Sequence, residues 1–159
     1  MLHELDIILS ETSVGKYADR RLNRRLLAAW SRAASGRYPS WREIQQEPLG
    51  ADWDWIFVVD LKRSVGFPYF IFLGERLAKL SDVFLRDGTD WSLTLLDLAT
   101  REIDAGAQLG PNMTENEVFL CDGRRVIFRA VTAPLADDGE HVTHVLGAAN
   151  GRFAPLLKN

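Results

Sequence analysis

Cysteine is almost absent from this chain: Cys121 is the single one in 159 residues. No internal disulfide can form, which points to a reducing compartment. Histidine is scarce as well, with only His3, His141 and His144. No apolar run approaches the roughly 18 residues that a membrane span needs. The first residues, MLHELDIILSETS, carry acids and no Lys or Arg, so the basic opening of a signal peptide is missing. An excess of basic charge is missing too. Nineteen Lys and Arg stand against 22 Asp and Glu, a net charge of −3, which argues against general nucleic-acid binding. No Gly-rich phosphate loop occurs. These absences together lead us to expect a soluble, cytoplasmic protein.

What is present is ordinary globular material, 47% apolar and 26% charged, in a length that suits one domain with a real core. The clearest stretch is Arg124 to Asn150. Val126 to Leu135 is rich in Val, Ile, Phe and Thr, Asp137-Asp138-Gly139 is turn chemistry, and Val142 to Ala149 is a return strand. Upstream, Val118-Phe119-Leu120 precedes a second turn, Asp122-Gly123. Three strands joined by two tight turns make an antiparallel meander.

The preceding chain must cover that sheet. Leu2 to Leu9 reads as a short helix or an extended arm. Tyr17 to Ala34 is a helix, with Leu22, Leu26, Leu27, Trp30, Ala33 and Ala34 on one stripe and Gly36 as its stop. Arg20, Arg21, Arg24, Arg25 and Arg32 fill the rest, a solvated face that pairs with acids elsewhere. Ser40 and Glu43 form a capping box for a short helix that ends at Pro48 and Gly50. Trp55 to Leu61 and Phe67 to Leu73 are apolar runs of strand length that pair as a hairpin. Gly74 to Leu80 is one or two helical turns. A second long helix is predicted from Ser92 to Ala105, capped by Thr89, Asp90 or Ser92.

This order, with Trp30, Gly36-Arg37 and Pro39, then Phe57-Val58-Val59-Asp60-Leu61, Phe70-Ile71-Phe72-Leu73-Gly74, Pro134-Leu135, Asp138-Gly139 and Leu146-Gly147-Ala148, resembles a PAS domain. It is similar to the compact single-domain type common in alphaproteobacteria, although Ile71 stands where that group carries a basic residue. The resemblance covers roughly Leu26 to Gly151. It implies an α+β fold with a five-stranded antiparallel sheet in the order 2-1-5-4-3, helices on one face and an N-terminal helical extension. The expected division is an arm and amphipathic helix over 1–36, a PAS-like domain over 37–152 and a tail over 153–159. The resemblance also implies that any ligand lies between the sheet and the helices that follow strand two. Pocket walls are then expected at Phe57, Phe70, Phe72, Trp91, Leu95, Leu98 and Phe128. A dimer or partner contact is expected on Leu22, Leu26, Leu27 and Trp30, where Trp30 either anchors a seam or packs on the sheet.

No catalytic constellation stands out. His141 and His144 are three apart on the predicted strand, so they point to opposite faces and make a poor metal pair. Cys121 has no histidine near it in sequence to activate it. The predicted helix from Ser92 lacks the axial His of haem-binding PAS domains. The segment Gly74 to Asp90 lacks the Asn-Cys-Arg-like motif of the photoreactive flavin type. No cofactor and no metal are expected. The leading reading is a non-enzymatic regulatory or sensory module that forms a homodimer and docks on a protein signalling partner. The second is a sensor with a small apolar ligand. The third is a small isomerase-like enzyme, for which Asp60 in its strand run is the candidate acid.

Overall fold

The computed structural model describes residues 18–86, 92–104, 107 and 110–154, with side chains from residue 21 onward. Helix α1 (Ala18–Ala34) leads to a short helix α2 (Trp41–Ile44) and a 3₁₀ turn (Gly50–Trp55). Strands β1 (Ile56–Asp60) and β2 (Phe70–Leu73) follow, then α3 (Glu75–Ala78), a second 3₁₀ turn (Lys79–Asp82) and α4 (Leu95–Ala99). The meander is β3 (Asn112–Phe119), β4 (Arg125–Leu135) and β5 (His144–Phe153). All five strands form one sheet in the order β2-β1-β5-β4-β3, every pair antiparallel.

Burial along the strands shows how the layers are arranged. Edge strand β3 alternates between half-buried and exposed residues, the pattern of a strand covered on one side. Residues Phe128–Leu135 of β4 and Val145–Gly151 of β5 are buried without a break, so both faces of the sheet centre are covered. Helix α1 packs on β4 and β5 and takes one face. The segment between β2 and β3 closes the other with buried Leu77, Leu80, Leu85, Leu95 and Leu98. A bridge from Phe84 to Thr94 ties that segment to itself, and one from Leu85 to Leu120 pins it to the end of β3.

Local chemistry accounts for the elements. Ser40 accepts the Glu43 amide and Glu43 reaches back to the Ser40 amide, so the capping box predicted for α2 is formed. Helix α4 is shorter than the predicted Ser92 to Ala105. Its cap is Thr94, which forms its own box with Asp97. Thr100 ends it, folding its hydroxyl back onto the Leu96 carbonyl. Strand β5 begins at His144, later than predicted, and runs through Phe153, which therefore belongs to the sheet. The arm over 1–17, Trp91 and the tail beyond 154 lie outside the described residues.

Two glycines permit close approaches. A Cβ on Gly74 would run into the backbone carbonyls of Trp53 and Asp54, where α3 starts against the first 3₁₀ turn. A Cβ on Gly147 would fall inside the ring of Phe57, its partner across β1 and β5. Gly147→Ala is therefore expected to destabilise the fold by about 1–3 kcal/mol, the usual cost of overpacking. Phe57→Leu in the same chain should recover part of that loss. Urea denaturation of the three variants checks both outcomes.

Candidate functional site

Residues opposite one another in an antiparallel ladder share a face. Phe57, Gly147, Thr132 and Asn112 therefore form one row across β1, β5, β4 and β3. The Phe57 ring covers Gly147 and meets Phe70 edge-on, with centroids 6.0 Å apart. Phe128 lies on the same face, beside Gly151. This is the face closed by the segment between β2 and β3. Leu95 and Leu98 are buried in the continuous core that also holds Phe57 and Phe128.

Phe72 does not join them. Two residues apart on a regular strand, Phe70 and Phe72 would share a face. The β1–β2 ladder instead pairs Val58 with Phe72 and Val59 with Phe70, so Ile71 is an extra residue in a bulge. The bulge turns Phe72 to the opposite face, into a cluster with Trp41 and Trp53 at centroid distances of 5.7 and 5.4 Å. Trp91, the remaining expected wall, lies outside the described residues.

Among the described residues of the Phe57 face, one deeply buried polar group has no partner. Thr132 is buried and its hydroxyl has no hydrogen-bond partner. Sequence reading missed it, because a Thr in a strand is an unremarkable β-former.

The groups that carry chemistry lie elsewhere. Asp60, the candidate acid, ends β1, where its carboxylate accepts the Lys62 and Arg63 amides at 3.0 and 3.3 Å. It organises a loop instead of facing an apolar cavity. His144 bonds the Thr143 hydroxyl through Nδ1 at 2.8 Å. His141 sits in the β4–β5 turn rather than on a strand, against Asp138. The Asp138 carboxyl is held well below its usual range, first by the His141 amide, then by the His141 ring and the Glu140 amide. Cys121 is exposed, with its Sγ 3.3 Å from the Leu85 carbonyl. Among the described residues no group of three His, Cys, Asp or Glu is placed to hold a metal, and no helix is long and apolar enough to cross a membrane.

The residues expected at a dimer seam are placed by α1. Leu22 and Leu26 are 2% and 1% exposed within a single chain, so the sheet already covers them. Leu27 and Trp30 are half-buried, and Trp30 donates its indole N–H to the Pro134 carbonyl at 2.8 Å. Trp30 thus packs on its own sheet. Arg25 and Arg32 pair with Asp52 and Glu47, which ties α1 to the segment behind it. The bond to Asp52 raises the Arg25 pKa. Asn23, which sequence reading passed over, is fully buried on α1 with neither amide atom partnered. It lines a cleft of about 320 Å³ with Arg24, Met113, Glu115 and Arg129.

Thr132→Val is expected to leave stability unchanged or raise it by about 1 kcal/mol, because it removes a buried hydroxyl that bonds nothing in the chain. A clear loss in thermal denaturation would mean that the hydroxyl is satisfied in solution by a bound molecule.

No family model matches the chain, and no curated protein matches it. Among solved structures, the PAS domain of BvgS from Bordetella pertussis is similar at 17% identity, over 60% of this chain and 70% of that chain, with a TM-score of 0.35. A likeness at that level carries no functional argument. The strand order β2-β1-β5-β4-β3, with one face closed by the segment between β2 and β3, is the arrangement that the motif resemblance implied, and on it the fold is PAS-like.

Proposed function

We propose that this chain is a non-enzymatic, cytoplasmic regulatory module that works by association, as a homodimer that docks on a protein signalling partner. The observation that carries this reading is the packing of the Phe57 face. Phe57, Phe70 and Phe128 lie where a ligand of a PAS-like fold would rest, and Gly147 and Gly151 make room for the rings of Phe57 and Phe128. Aromatic side chains packed on that face favour surface contact as the means of output. The positions of Asp60, His141, His144 and Cys121 also favour binding over turnover. Each is engaged by loop or turn backbone or by a neighbouring side chain, and His144 Nε2 lies 3.8 Å from Asp60 Oδ2, beyond hydrogen-bond distance. Within this reading, residues 37–152 form the PAS-like unit, and the preceding helix contributes contacts through the parts of Leu27 and Trp30 that stay accessible.

A second reading, a sensor for a small molecule, is favoured by one observation, the unpartnered Thr132 hydroxyl on that same face. A ligand there would be mostly apolar with a single polar group to meet it.

Native mass spectrometry separates the two. The protein purified from its own cytoplasm is expected at an even multiple of the 17.9 kDa chain mass with no added mass. A non-covalent mass excess that disappears on denaturation would replace the first reading with the second.

A further inference from the structure

Among the described residues, the two most exposed large apolar side chains are on the loop between β1 and β2. Val65 and Phe67 are each 84% exposed, and Tyr69 is 45% exposed. This loop is built to hold its shape. Ser64 donates its hydroxyl to the Asp60 carbonyl at 2.6 Å and accepts the Tyr69 amide at 2.9 Å. Asp60 accepts two further loop amides. Gly66, at φ +82°, makes the reversal that sets Val65 and Phe67 at the tip. The Arg63 guanidinium lies 5.3 Å from the centre of the Tyr69 ring. Ordering that presents two apolar side chains to water is unfavourable unless something covers them.

A complementary hollow lies on the same chain. A cleft of about 480 Å³ opens where α1 ends beside the β4–β5 turn, with Trp30, Ala34, Gly36 and Tyr38 in its wall and Glu140 on its rim. The motif residues at the end of α1 build this joint. Tyr38 donates its amide to the Gly139 carbonyl at 3.1 Å, and Ala136 donates to the Pro39 carbonyl at 3.0 Å. The charges are complementary as well. Lys62 and Arg63 flank the apolar tip, whereas exposed Asp137, Asp138 and Glu140 stand on the turn beside the cleft and outnumber Arg37, the one cationic residue in its wall. The Leu61 amide bonds the Thr143 carbonyl, so the loop and the turn rise from adjoining strands at one end of the sheet.

We propose that Val65 and Phe67 of one protomer insert into the Trp30–Tyr38 cleft of a second copy of this chain, reciprocally, with Lys62 and Arg63 facing the acidic turn. This rests on the self-association in the reading above and gives that association a surface. A knob and a socket side by side let two copies close around a twofold axis, whereas the same features far apart would build an open chain. An anionic lipid surface suits the tip less well, because the acids of the β4–β5 turn adjoin it.

The test is sedimentation equilibrium of the full chain. The wild type is expected at twice 17.9 kDa. Val65→Ser with Phe67→Ser should raise the dimer Kd by about thirtyfold or more, the scale of a lost central aromatic contact, with an unchanged melting temperature. Lys62→Glu should weaken pairing, and adding Glu140→Lys should restore it. A dimer indifferent to the loop substitutions overturns this interface but leaves self-association standing. A monomeric wild type overturns both. Binding of phosphatidylserine vesicles by a monomer, lost in Phe67→Ser, would assign the loop to a membrane and overturn the proposal.

Discussion

The Phe57 ring resting on Gly147 is the contact around which this fold closes. It binds β1 to β5 at the middle of the sheet, where neither strand has an edge. The ring needs the space that a missing side chain leaves, and any Cβ at 147 would occupy it. Phe70 then packs against the outer edge of Phe57, and the buried leucines from the segment between β2 and β3 close over the layer. Gly151 repeats the device on the same face, with Phe128 and Val126 as the neighbours of its open side. An aromatic is set against a glycine on the neighbouring strand twice over, which places both rings on the face that the segment between β2 and β3 covers.

The opposite face follows different rules. Glu115, Arg129 and Asn150 form a row across β3, β4 and β5, and the α1 residue Asn23 lines a cleft with Glu115 and Arg129. Arg129 is 7% exposed and donates to Glu115 at 2.6 Å. The Glu115 side chain is 56% exposed, so water screens the outer half of this pair. Polar groups under a helix restrict the ways in which it can sit, because each needs its own partner, whereas apolar contacts tolerate sliding. Trp30 adds a directional bond to the Pro134 carbonyl, and the Arg25–Asp52 and Arg32–Glu47 pairs tether the outer side of α1. The exposed pairs contribute little individually.

Much of this was legible in the residues. The apolar run around Ile56 to Asp60 reads as a buried strand because both faces of the sheet are covered there, and the Ser40–Glu43 box is written in two letters three apart. Strand β3 was legible only at its end. Asn112 to Glu117 carries no apolar signal, because one side of this edge strand faces water and the other is only half-buried. The Ile71 bulge is invisible in sequence, since nothing in FPYFIFL says which residue drops out of the ladder, and strict alternation puts Phe72 on the wrong face. The Leu22–Leu26 stripe was read correctly as an apolar face. Periodicity reports that a face is buried, but not whether the same chain or a second copy buries it. Asn23 lies in that stripe as a polar letter and was overlooked for that reason.

The burial of α1 also limits which parts of the molecule can move. A helix that swung away from the sheet would uncover Leu22 and Leu26, at a cost of roughly 1.5–3 kcal/mol for each side chain. It would also expose β4 and β5 and strip the partners from Trp30, Arg25 and Arg32. That sum is a large share of the 5–15 kcal/mol that holds an ordinary domain together. A binding event would need a comparable difference in affinity between the two states to drive it. The end of the sheet that carries the β1–β2 loop and the β4–β5 turn has no such barrier. Its apolar side chains are already outside, and its hydrogen bonds are satisfied within the loops. Contact there leaves the core undisturbed, which makes this end the place where the chain can engage another molecule without first giving up part of its own fold.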